Sequence, residues 1–243
     1  GSTTITNAVT FQNTGTLNLG DASSDTFTFN GGLTENTSGT VTLEGTIASS
    51  NDAIIFGNVT SGGNFTIDTN ASTNAGDITI GAITAGVNDT LTLKTGNNVS
   101  GADITVSGAV SNSPNFQLSN VGGTATFNGN VTAATFTAGN TVANIVFNGG
   151  SNTFQSSVSF ANDETLTFGN STSDSSTFNG GLTTTSVGGT VTLEGTIATS
   201  NDAIVLGAVT LSDNTTIDTN AITTAGDITL STVTGGSNSL SLS

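Results

Sequence analysis

A long stretch of this chain is written twice. Residues 9 to 93 return as residues 158 to about 243, roughly 150 positions later. The segment Gly39 to Ala48 (GTVTLEGTIA) returns unchanged as Gly189 to Ala198. Ala75 to Thr79 (AGDIT) returns as Ala225 to Thr229. Between Gly39 and Thr60 only Ser49, Ile55, Phe56 and Asn58 change, to Thr199, Val205, Leu206 and Ala208. A repeat this long marks an array in which each unit packs on the next, because one unit alone cannot bury its apolar face. The expected organisation is one continuous segment, 1–243, with super-repeat units at 9–157 and 158–243, the second incomplete.

Within the array the local period is two. Thr26 to Phe29, Thr40 to Leu43, Asn64 to Ile67, Asp77 to Ile80, Thr90 to Leu93, Asp103 to Val106, Thr124 to Phe127 and Thr165 to Phe168 all alternate polar and apolar residues. That is the pattern of a half-buried strand, and β-branched threonine favours the extended backbone. Glycine-containing corners follow, at Asn30 to Gly32, Glu44-Gly45 and Asn128-Gly129. No segment sustains the i, i+3, i+4 apolar spacing of a helix.

A second spacing shows how the strands stack. Thr42, Thr66, Thr92 and Gln117 lie 24, 26 and 25 residues apart, and Ile55, Thr79, Thr105 and Thr126 lie 24, 26 and 21 apart. Two strand families therefore recur once per turn of about 20–26 residues. This predicts an all-β parallel β-helix, or β-solenoid, with no helices. Its super-repeat takes six or seven rungs. Ten to twelve rungs at about 4.8 Å make a rod of roughly 50 to 60 Å. Tandem β-sandwich modules are the alternative, since short strands at regular spacing also describe them. The single proline, Pro114, and the near-constant corners favour the solenoid.

Composition removes several functions. Seventeen carboxylates face one cation, Lys94, for a net charge of −16. Residues 104 to 162 carry no charge. A phosphate-tracking nucleic-acid binder needs lysine and arginine, and so does attachment to anionic lipid. No apolar run is long enough to span a membrane, so no membrane insertion is expected. Without cysteine there is neither a disulfide framework nor a thiolate metal site. The chain opens straight into repeat sequence with no leader visible. Repeat phrases reach both ends, as in a segment of something longer or a polymerising unit.

The phrases TVTLEGTI, FNGGLT and GDIT followed by Ile or Leu resemble the repeat regions of giant bacterial surface proteins of the filamentous-haemagglutinin and autotransporter-passenger type. The resemblance covers nearly the whole chain and speaks to architecture. It implies a secreted, extracellular or cell-surface rod, a right-handed parallel β-helix used as stalk, adhesin or fibre. Its partners would be further copies joined end to end, neighbouring repeats of a larger chain, or cell-surface ligands.

Polysaccharide-acting β-helix enzymes need clustered carboxylates, usually tuned by lysine, arginine or histidine. Here histidine and arginine are absent, and the carboxylates recur along the array. Glu44, Asp52, Asp68 and Asp77 return as Glu194, Asp202, Asp218 and Asp227. Oxygen-rich loops suit calcium, but the calcium-binding nonapeptide and EF-hand spacings are missing. Asp52 and Asp77 are expected to cap turns instead. Ice binding needs a Thr-x-Thr rank on one face of every rung, and Phe65 to Asp68 and Phe116 to Ser119 are expected to interrupt it. Phe29, Phe56, Phe127, Phe147 and Phe178 fall at inward positions and are expected to stack in the core. No catalytic, cofactor-binding or metal-ligating residue is assigned, and no enzyme activity or cofactor is expected. For an adhesin, the uncharged and unrepeated stretch Ile104 to Asn162 is where exposed apolar residues are expected.

Overall fold

The computed structural model describes residues 1–36, 39–96, 99–223 and 226–243. Ala225, at the head of the second AGDIT phrase, lies outside them. Among the described residues every regular element is a strand, and every strand pairing is parallel. The chain is a β-solenoid.

The solenoid has three faces, visited in a fixed order. Face I begins with Val9–Phe11, face II with Leu17–Leu19 and face III with Thr26–Phe29. On face I one inward column runs unbroken through Val9, Leu33, Ile54, Ile78, Ile104, Ala125, Ile145, Leu166, Val191, Val209 and Val233. That is ten turns, or about 48 Å at the spacing of paired strands.

Turns on this face take 18 to 26 residues. The turn from Val191 to Val209 is shorter than the 20–26 expected, because its corners are tight. Val191–Thr199 is one strand bent at Gly195, where φ is +80°. Its first part lies on face I, and Thr196 to Thr199 lie on face II, paired with Ser175 to Phe178.

Two strand families were expected and three faces are found. Ile55, Thr79, Thr105 and Thr126 stack as predicted, on face I. Thr66, Thr92 and Gln117 stack on face III. Thr42 does not join them: it pairs with Thr60 on face II, while Thr46 pairs with Thr66. Val41–Ser49 bends at Gly45 (φ +87°), so its two halves belong to different faces.

Alternation places the core. Val41–Ser49, Ile78–Ile80 and Ile104–Val106 all bury every second residue. The buried aliphatic and aromatic side chains form one continuous cluster from Leu19 to Ile217. Each such leucine, isoleucine or phenylalanine removed from water contributes about 1.5–3 kcal/mol.

The five inward phenylalanines named from sequence are all buried. On face I, Phe127, Phe147 and Phe168 stack with centroids 5.1 and 5.3 Å apart and rings nearly parallel. On face II, Phe154 stacks on Phe178 at 4.7 Å. On face III, Phe116 stacks on Phe136 at 5.6 Å. The stacks meet edge to face across the interior, as between Phe147 and Phe154 at 5.5 Å, a favoured aromatic geometry.

Candidate functional site

The outer surface is built from two kinds of position: the middle of each face strand and the corners. On face I the middle, outward position is read in register from rung to rung. The column is Thr10, Thr34, Ile55, Thr79, Thr105, Thr126, Val146, Thr167, Thr192, Thr210 and Thr234. Nine of these eleven are threonine and the other two are β-branched. None is buried and none carries charge. Paired threonines across strands stabilise a sheet, and their stiff χ1 holds hydroxyl and methyl in fixed places.

The interruption expected for threonine ranks is real on face III, where Gln117 stands between Thr92 and Thr137. On face I the rank is broken at Ile55 and Val146 instead, where β-branched apolar residues take the place of threonine. The two segments taken as interruptions, Phe65 to Asp68 and Phe116 to Ser119, both belong to face III.

Carboxylates sit at the corners or at strand ends. Asp77 Oδ1 accepts the Asp103 N–H of the next rung (3.0 Å), and Asp68 Oδ1 accepts the Asn70 N–H (2.9 Å). Asp218 repeats the latter bond to Asn220 (2.8 Å). Asp174 Oδ2 accepts the N–H groups of Asn170 and Ser171. Asp25 bonds the Gly1 ammonium and the Asp21 N–H, and these hold its carboxyl down at about 2. Asp77 thus bonds the neighbouring rung rather than its own turn; the local caps are those of Asp68 and Asp218. Among the described residues no group of three or more carboxylates forms a metal-sized cluster.

The sequence reading missed the asparagines. Asn51, Asn70, Asn88, Asn112, Asn120, Asn201 and Asn220 all have positive φ, the left-handed region that asparagine tolerates better than most residues. Asn51 Oδ1 accepts the N–H groups of Ser72 and Thr73 in the next rung (2.6 and 2.9 Å). Asn201 Oδ1 does the same for Ile222 and Thr223 (2.6 and 3.1 Å). At the Asn51-Asp52 corner, then, the side chain that satisfies the next rung's backbone is that of Asn51. The signal was available: each of these asparagines follows or precedes a strand end.

Among the described residues three carboxylates are buried: Asp25, Asp174 and Glu35. Glu35 is buried in register between Phe11 and Ile55's neighbour Phe56, and its Oε2 accepts the Gly57 N–H (2.8 Å). In the second copy Thr184 holds the equivalent place, and its Oγ1 accepts the Gly207 N–H (3.3 Å). The recurring requirement is an acceptor for that glycine amide.

Lys94 ends the strand Thr90–Lys94 and pairs with Asp68 at 2.7 Å. At a partly exposed position such a pair contributes about 1 kcal/mol at most. Surface depressions include one of about 300 Å³ bordered by Asn140, Thr141, Asp163 and Glu164. Glu164 there accepts a hydrogen bond from Asn144 Nδ2 (2.7 Å).

Exposed large apolar side chains are Ile5, Ile55, Val87, Ile222, Val233 and Leu242. None falls in Ile104 to Asn162, where a lateral binding face was expected to show them. Three lie in the end rungs. There Ser2–Ile5, Val9–Phe11 and Leu17–Leu19 pair on one side only, as do Ile228–Thr234 and Leu240–Leu242.

Compared with protein-family models, curated proteins and solved structures, the chain matches none.

Proposed function

We propose that this chain is a structural segment of an extracellular rod at the bacterial cell surface, continued at its ends by neighbouring repeats or further copies. The observation that carries the reading is the unbroken column of parallel, in-register pairs over ten turns, closed around a dry core. Paired strands tie every turn to the next along face I, and most turns along faces II and III as well, which resists bending and local opening. The surface chemistry agrees. Cysteine and methionine, the most oxidisable side chains, are absent. The single cleavage point for a trypsin-like protease, Lys94, is held in a strand and paired. The resemblance to giant surface-protein repeats supports the same placement.

Electron microscopy of natively produced material at near-neutral pH tests it. The expected images are rods in multiples of about 50 Å, joined end to end. Globular particles or flat lateral sheets would set the reading aside. Uniform single rods would assign the segment as a spacer.

A second reading rests on the face I threonine column. Uncharged hydroxyl and methyl groups repeated at the strand spacing of about 4.8 Å form a surface able to hold water in an ordered layer and so to bind ice. Thermal hysteresis and partition into a growing ice front measure this. A chain that leaves ice growth unchanged removes it.

A further inference from the structure

The two copies of the repeat fold alike but do not face alike. Five positive-φ positions recur with nearly the same angle: Gly20 and Gly169, Gly32 and Gly181, Gly45 and Gly195, Asn51 and Asn201, Asn70 and Asn220. Even Ser2–Ile5, which sequence comparison left out, pairs with Thr26–Phe29 as Ser151–Phe154 pairs with Ser175–Phe178.

The columns tell a different story about direction. Val41 belongs to face II, in register with Leu17 below it and Val59 above it. Its copy, Val191, stacks on Leu166 in the face I column instead. Leu33 lies on face I; its copy Leu182 pairs with Val158 and Ile204 on face III. From Leu33 the chain makes six turns to Leu166, then passes face II before reaching Leu182. One super-repeat is therefore six and two-thirds turns, a rise of about 32 Å at the strand spacing.

We infer that the super-repeat works as a screw, displaying the same corner sequence on a different side of the rod in each copy. The corner Ser50 to Ala53 joins face III to face I, while the identical corner Ser200 to Ala203 joins face II to face III. Ser50 and Ser200 are both exposed. A partner that reads this repeated corner is met on two sides, so the display fits separate small partners bound independently. A single flat surface engages one copy at a time. The inference holds whether the rod is a spacer or a fibre subunit.

A Fab that binds D52K and D202K but not the D52K/D202K double variant recognises each corner alone, since each single variant spoils one of the two and the double variant spoils both. The unaltered chain is expected to bind two such Fabs with undiminished affinity for the second. Electron microscopy is expected to show them two-thirds of a turn apart and about 32 Å apart along the axis. Two Fabs on one side, or one Fab excluding the other, would overturn the inference.

Discussion

Replacing Phe147 by alanine should cost about 3–5 kcal/mol, the range for removing a fully buried aromatic. Phe147 is completely buried and sits where the three aromatic stacks converge. It stacks on Phe127 and Phe168 and meets Phe136, Phe154 and Phe160 edge-on. The hole would not close easily, because the neighbouring rings other than Phe160 are held by strands in their ladders, and Phe160 is tied through its own N–H to the Thr183 carbonyl at 2.9 Å. The rod also lacks a second core to fall back on. Each turn contacts only its neighbours, so a defect at mid-rod separates the two halves. Urea unfolding followed by circular dichroism is expected to show a lower midpoint and, because the halves are uncoupled, a broader transition. Phe27→Ala is the comparison: Phe27 is only partly buried, and the loss there should be well under half as large. A Phe147→Ala chain within about 1 kcal/mol of the parent would mean that the stacks are incidental to stability.

How much of this was legible beforehand depends on strand length. All eight alternating segments picked out in the sequence contain strands, because alternation over four residues suffices to mark one. Face II escaped because several of its strands, such as Ile83–Thr84, Val110–Ser111 and Thr132–Ala133, are two residues long. Two residues cannot display a period. The register of Thr42 was misjudged for a related reason. The bend at Gly45 divides one alternating phrase between two faces, and nothing in the alternation marks the division. The face I threonine column is a property of long-range pairing between residues some twenty positions apart. Its middle, Ile55 to Thr126, shows in the spacing alone; the rest becomes visible only when the turns are aligned. The corner asparagines were readable in principle, but a composition rich in asparagine hides the few that adopt left-handed backbone.

Gly195→Val should destabilise the chain by about 3 kcal/mol or more, combining backbone strain, overpacking and a weakened ladder bond. At φ +80° a β-branched residue is strained whatever surrounds it. Here the surroundings also forbid it: a Cβ would lie 2.3 Å from the Asp174 carbonyl oxygen and 3.0 Å from that of Ser171. The Asp174 carbonyl cannot retreat freely, because it accepts the Thr196 N–H at 2.8 Å and so ties one rung to the next. Gly45 repeats every element of this corner. Its Cβ would lie 2.4 Å from the Asp25 carbonyl, which accepts the Thr46 N–H at 2.7 Å. Gly45→Val is therefore expected to cost the same as Gly195→Val to within about 0.5 kcal/mol, although the two corners lie between different pairs of faces. Gly150→Ala separates this mechanism from a general intolerance of larger residues. Gly150 has ordinary φ, and the nearest atom to its Cβ would be Asp174 Oδ1 at 3.7 Å. That substitution should be neutral or stabilise by up to about 1 kcal/mol through the unfolded chain. Thermal and urea unfolding of the three variants decide the matter. If Gly195→Val and Gly45→Val behave like Gly150→Ala, the glycine corners are replaceable, and the bent strand does not depend on the close approach of successive rungs.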